Sequence, residues 1–352
     1  MTNRTTAMDA RNDAGRYETA GGTVWDAVVV GGGAAGLSAA LSLGRARRSV
    51  LVIDAGQPRN ASAEGVHVFL TRDGTPPAEL TRLGRLDVQM YGGEVRPGTV
   101  VAVRRLESGT TVAESPARFA VTLLDGSEVL ARRLVITTGA VDELPDVPGL
   151  REQWGRGIIH CPYCHGWEVR DQPIGVLGTG PRAVFQALLF RQWSDRITLL
   201  LHDAPDPTDE EWEQLAARGI EVVTGRVVRV ASDAGSGSLT GAELEDGRFV
   251  PLAAIAVATR IVVGDTLLVP LGAAVAEHPS GAGTFAVADD FGRAADGVWV
   301  AGNVSNPMAQ VMTAAASGMM AGVGANSDLL LEDTAAAVTA RRAAAPHAPR
   351  VE

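Results

Sequence analysis

The most reactive atoms of this chain lie within five residues, Cys161-Pro162-Tyr163-Cys164-His165. They include the only two cysteines among 352 residues. Two thiols at this spacing close a short ring whose strain makes the disulfide readily reducible, and a thiolate can be stabilised nearby. Two other chemistries use similar letters. A structural zinc needs four ligands; no second CxxC exists, and His160 and His165 lie too close in sequence to span a tetrahedron. A c-type haem attachment also reads CxxCH but requires export and an axial ligand. The first 22 residues are polar, without the apolar segment of a secretory signal. No apolar run approaches the roughly 18 residues that span a bilayer. A cytoplasmic location follows as the expectation, and there a lone CxxC is redox-active or metal-binding rather than a staple. The redox reading is favoured, and no metal is expected.

Such a pair must be held by something. Two strand–glycine loop–helix units flank the stretch. The first runs from Asp26 through Gly31, Gly33 and Gly36 into LSAALSLGRA, then returns as the strand SVLVIDAG ending near Asp54. Gly31 permits the tight turn, Gly33 the approach of a pyrophosphate, and Gly36 close helix–strand packing. Asp54, about 20 residues on, suits a ribose hydroxyl. The second unit runs from Ile174 through GTGPRA into VFQALLFRQW and the strand RITLLLHD. The fold class is therefore α/β, with two Rossmann-like nucleotide-binding domains of three layers (ββα). A glycine loop alone does not separate FAD from NAD.

Short β-type runs follow each unit: VVAVRRL, RFAVTLL and EVLARRLVITTGA after the first, EVVTGRVVRVAS, GAELEDG and AAIAVATRIVV after the second. Their alternation suggests small antiparallel sheets on each parallel core. GVWVAGNV reads as a buried strand ending in a Gly-Asn turn, and AQVMTAAASGMMAGVGAN as a helix with small residues on its packing face. Met308, Met312, Met319 and Met320 read as packing. The acidic run Asp206 to Glu213 reads as a solvated helix start. The net charge of −10 makes nucleic acid and anionic membrane poor partners.

Taken in order, the N-terminal loop, Thr137-Thr138-Gly139-Ala140, CxxC, the second loop and Gly302-Asn303 with AQVMTAA resemble the low-molecular-weight thioredoxin reductases, from about Trp25 to Asn326. The resemblance implies FAD, a homodimer, and a nicotinamide-type domain inserted into the FAD domain. The implied boundaries are a tail at 1–22, an FAD domain at 23–145 and 270–330, an inserted domain at 146–269 carrying the CxxC, and a tail at 331–352. It places FAD against Gly31, Gly33, Ala35, Gly36, Asp54, Ala55, Gly139, Gly302, Asn303, Gln310 and Val311. It also makes Cys164 the flavin-side thiol and Cys161 the one that meets the substrate.

Three departures redirect the reading. His165 stands where those reductases carry an acid, and imidazole titrates nearer neutrality; helix capping is its bland alternative. The arginine cluster that clamps the 2′-phosphate of NADPH is missing after the second unit's second strand. Asp203, Asp206, Asp209, Glu210 and Glu211 stand there instead, and Pro181 removes an N–H from the loop. Unproductive nicotinamide binding is favoured, with NADH through Asp203 the next reading. Asn303 replaces an aspartate, keeping hydrogen-bonding capacity without charge.

With these departures the chain resembles the dithiol oxidases that close disulfides in natural products such as holomycin and gliotoxin. That implies a small-molecule dithiol as substrate, O2 as acceptor, H2O2 as product and His165 as base. An NAD(P)H- or ferredoxin-driven disulfide reductase is the alternative. His67, Tyr163, Trp167 and Trp193 are further candidates for contacts at the site.

Overall fold

The computed structural model describes residues 17–19, 22–106 and 117–344. The chain divides into two compact units. One comprises the residues up to Pro58, Glu79–Ala140 and those from Val262 on; the other comprises Arg59–Ala78 and Val141–Ile261.

The first unit is built on Gly22–Val30 and Glu128–Ile136, whose residues are buried almost without interruption. Continuous burial on both faces is the condition of a central parallel strand. The sheet runs in the order Arg293–Ala295, Val298–Val300, Glu128–Ile136, Gly22–Val30, Val50–Asp54, Glu94–Pro97, parallel from Val298–Val300 onward. Val30 pairs with both Ile53 and Ile136, so three strands end level and the Gly31 loop leaves from among them. One sheet face packs Val28, Ile53 and Ile136 against Val103 and Phe119 of an antiparallel layer. The other packs Val29, Val52 and Val135 against the helix Ala34–Arg45 and the long helix Val311–Ala344.

Those two helices touch through small residues, as expected. A Cβ on Gly318 would lie 1.9 Å from the Ala35 carbonyl oxygen, and one on Gly322 2.6 Å from that of Ala39. Met308, Met312 and Met319, read as packing, are instead exposed. Small residues already fill the contact face and leave the methionines outside it.

Both expected tails are partly ordered. Tyr17–Thr19 forms a strand antiparallel to Gly22–Val24, and the C-terminal helix continues to Ala344; residues 1–16, 20–21 and 345–352 lie outside the described residues. The helix persists because buried guanidinium groups need it. Arg132, on the central strand, pairs with Asp26 at 2.8 Å and with Glu332 at 2.7 Å. Arg133 reaches Asp328 at 2.5 Å and Glu332 at 2.6 Å.

The second unit has a five-stranded parallel sheet in the order Glu221–Val223, Ile197–Leu200, Ile174–Leu177, Ala254–Val257, Ile158–Ile159. An antiparallel sheet of Val227–Ser232, Leu239–Leu244 and Phe249–Pro251 packs through Val230, Ala242 and Leu244 on Leu200 and Ile255. Two runs read as antiparallel belong to the parallel cores: Ala254–Val257, and Glu128–Ile136, which pairs in parallel with Gly22–Val30 from Leu130 to Ile136 while its first residues pair antiparallel with Phe119–Leu123. Their neighbours are set by chain crossovers, which local alternation does not encode.

Candidate active site

Cys161, Cys164 and His165 sit on one short helix, Pro162–His165, in the second unit. Cys161 precedes it in extended conformation, and Pro162 takes the first helical position, where its missing N–H costs nothing. The Cys161 carbonyl accepts from the N–H groups of Cys164 at 3.2 Å and His165 at 3.1 Å. Gly166 fixes the exit. A Cβ there would lie 2.8 Å from the Trp193 indole, so only glycine lets the helix lie against it. Tyr163 meets the same indole edge-on at 5.5 Å between centroids. Trp193 is thus a support, whereas Tyr163 and Trp167 are 57% and 65% exposed.

The pair stands in its dithiol form. A hydrogen bond to Cys161, with burial adding to it, raises the Cys164 thiol well above the ordinary range. Both ring nitrogens of His165 are buried and, among the described residues, have no hydrogen-bond partner. Burial pushes this imidazole below its usual pKa; Glu168 opposes the shift and His67 adds to it. It is neutral at pH 7, the form that accepts a proton.

Sequence reasoning missed what surrounds the helix. Arg59 binds Asp142 through two 2.6 Å hydrogen bonds, and the Thr259 hydroxyl donates to the same carboxylate at 2.6 Å. Burial pushes the Asp142 carboxyl up, but the Arg59 and Thr259 hydrogen bonds and the Arg59 charge outweigh it and hold the group below the usual carboxylate range. Burial, with Arg59 adding to it, pushes His160 down to about 4. His67 lies 3.5 Å from Glu168 and 3.5 Å from Asp73. Residues 59 and 142 are 83 positions apart, so no local pattern could have signalled the pairing.

In the first unit, the glycine loop has the room its spacing implies. A Cβ on Gly31 would lie 2.4 Å from the Thr137 carbonyl, and one on Gly36 1.9 Å from the Gly31 carbonyl; around Gly33 nothing lies within 4 Å. Gly33 leads into a 12-residue helix without a side-chain cap, leaving first-turn N–H groups for an anion. Asp54 accepts from Gly32 N–H at 3.0 Å and Arg85 at 2.6 Å; a carboxylate has lone pairs left for a ribose hydroxyl. Gly302 abuts Ala35, while Gly139 has a positive φ of 72° and open space about its Cα. The Asn303 amide nitrogen donates to the carbonyl of Ala309 at 2.9 Å, so its oxygen is the group left for a ribitol. Val311 opens the long helix just after Gln310. The residues present fit a dinucleotide.

The second loop is more crowded. Gly178 packs where a Cβ would lie 2.5 Å from the Leu201 carbonyl, while Gly180 is open. His202 has a positive φ of 47°, accepts from Val227 N–H at 3.1 Å, and lies 3.2 Å from Asp203. Arg226 approaches the same carboxylate at 3.4 Å. The fold thus returns a cation, Arg226, to the acidic stretch from beyond it in sequence. The acidic run starts a helix as expected: Thr208 and Glu211 close a capping box on Asp209–Ala217. Among the described residues no cluster of His, Cys, Asp and Glu is arranged to hold a metal, and no helix is long and apolar enough to cross a membrane.

Two nucleotide-binding sheets, one carrying a dithiol beside a neutral imidazole, define a two-electron thiol–disulfide oxidoreductase. The chain belongs to the pyridine nucleotide-disulphide oxidoreductase family, whose profile matches residues 25–318. Its cofactor is FAD. It is 30% identical to the thioredoxin reductase sirT of Leptosphaeria maculans over 89% of this chain and 97% of that one. A probable thioredoxin reductase of Arthroderma benhamiae is 41% identical, but over 44% of this chain and only 38% of that protein's length. Among solved structures, HlmI is 42% identical, with a TM-score of 0.83 over 94% of this chain and 99% of that one.

Proposed function

We propose that the protein is an FAD-dependent dithiol oxidase that closes a disulfide in a small dithiol, with O2 as electron acceptor and H2O2 as product. The observation that carries this reading is His165: a neutral, enclosed imidazole directly after Cys164, with no partner to its nitrogens among the described residues. Such a group takes protons from thiols, which is what an incoming dithiol supplies.

Starting from the Cys161–Cys164 disulfide, a substrate thiol gives its proton to His165 and its thiolate attacks the Cys161 sulfur. The Cys161–Cys164 bond breaks and Cys164 leaves as thiolate. The second substrate thiol attacks the substrate sulfur of the mixed disulfide, closing the product; Cys161 is released and takes up that thiol's proton. Bound FAD would supply a two-electron acceptor for the Cys161–Cys164 dithiol, with O2 as the final acceptor. The residues that would hold FAD are Gly31, Gly33, Ala35, Gly36, Asp54, Ala55, Gly139, Gly302, Asn303, Gln310 and Val311, in a homodimer by family resemblance. We read the protein as cytoplasmic and place the domain junctions near residues 146 and 270.

Arg226 beside Asp203 and the open Gly180 favour a second reading, a disulfide reductase driven by NAD(P)H. One experiment separates the two. Under anaerobic conditions the oxidase reading expects dithiothreitol, and neither NADH nor NADPH, to bleach the flavin's visible band, with air restoring the colour and forming H2O2. Bleaching by either nucleotide within a turnover time would establish the reductase.

A further inference from the structure

A proton taken up by His165 must leave an enclosed ring. Glu168 follows His165 by three residues, in the turn just after the short helix, and its charge acts on the imidazole. His67, from the segment Arg59–Ala78, sets Nε2 3.5 Å from Glu168 Oε1 and Nδ1 3.5 Å from Asp73 Oδ2. Its loop is built to hold it. Val68 adopts a positive φ of 58° and its N–H donates to Asp73 Oδ1 at 2.8 Å. Gly65 leaves free the space where a Cβ would press on His67 Nε2 at 3.2 Å. Solvent is reached along this series: the His67 side chain is 23% exposed, Glu168 43% and Asp73 68%.

We propose that Glu168, His67 and Asp73 form the proton exit of the redox site. The proposal rests on the reading of His165 as the base. Protonated His165, whose nitrogens have no direct partner among the described residues, gives its N–H proton to a water in the site, which passes one on to the Glu168 carboxylate. Glu168 passes it to His67 Nε2, His67 releases the proton on Nδ1 to Asp73, and Asp73 loses it to water. No electrons move in these steps, and each group returns to its starting protonation once the His67 ring resets. Glu168 and His67 act through His165 and are positioning residues.

The groups facing His165 are Cys161 and Cys164 on its own helix, Glu168 in the next turn, His67 from the facing loop, and His160 before the helix; Arg59 acts on Cys164 and His160. Glu168 favours the imidazolium and His67 disfavours it. Removing one or the other should therefore move the pH profile in opposite directions, which a loss of packing would not do.

The test follows the anaerobic bleaching of the flavin band of the holoenzyme by dithiothreitol between about pH 5 and about pH 9, spanning the histidine range. Glu168→Gln should slow bleaching about ten-fold, a modest general acid–base effect, and shift the acid limb to lower pH. His67→Asn should slow it several-fold and shift that limb to higher pH. Glu168→Asp, which keeps the carboxylate, should restore most of the rate, and it also serves if Glu168→Gln folds poorly. Wild-type profiles in these variants, or shifts in the same direction, overturn the relay. If His165→Asn is slow while both other variants behave as wild type, only the relay fails. If His165→Asn bleaches at the wild-type rate, the reading of His165 as base fails and the relay with it.

Discussion

The two glycine loops of this chain start from nearly the same letters and reach different ends. At Gly31–Gly36 two glycines are pressed against backbone and the middle one opens onto space at a helix start. At Gly178–Pro181 one glycine is pressed, one is open, Pro181 contributes no N–H, and the acid after the second strand is already engaged by His202 and Arg226. A glycine pattern therefore specifies a turn; it becomes a phosphate cradle only when the surrounding donors stay available. The second unit's sheet also frames the short helix that carries Cys164 and His165.

The sharpest way to break this comparison is a matched pair of substitutions. Gly33→Val should abolish FAD retention, since its side chain enters the space beside the helix start, whereas Gly180→Val should leave flavin content and dithiol turnover within about two-fold. The ratio of flavin to protein absorbance decides it. Full flavin in Gly33→Val would remove the cradle, and slow turnover in Gly180→Val would give the second loop a role.

Next in size is the thiol chemistry. Cys161→Ser and Cys164→Ser should each lower dithiol-dependent oxygen uptake at least about a thousand-fold, because a hydroxyl cannot form the mixed or internal disulfide. Both should keep their flavin, which an oxygen electrode and a spectrum together will show.

Gly166→Ala should cost about 1–3 kcal/mol, as overpacking does, because the new methyl group meets the Trp193 indole. Denaturant unfolding checks this. A wild-type midpoint would mean that the helix is not held against Trp193.

The last effect is a pH dependence. His160 has its pKa lowered to about 4, so the unfolded chain binds its proton more tightly than the folded one. Its contribution is full above about pH 6.5 and is lost as the pH falls towards about 4, on the order of 3 kcal/mol at most. Unfolding free energies at pH 7 and pH 5 should differ less in His160→Asn than in the wild type. An unchanged difference would show that the buried imidazole is not the source.

What the sequence by itself determined was local. The strand–glycine–helix spacing, the CxxC with its histidine, the small-residue face at Gly318 and Gly322, and the capped acidic helix at Thr208 all follow from residues within a turn or two of each other. The family resemblance added FAD to that list. Tertiary structure decided the rest. It joined Arg59 to Asp142, set His67 beside Glu168, and returned Arg226 to Asp203. It also drew Asp328, Glu332 and Asp333 onto two buried arginines, tying the long helix to the central strand. Charge pairs of this kind carry no periodicity, because only folding brings their partners together. Burial, which moves the pKa values of His160 and His165, likewise exists only once the chain has folded around them.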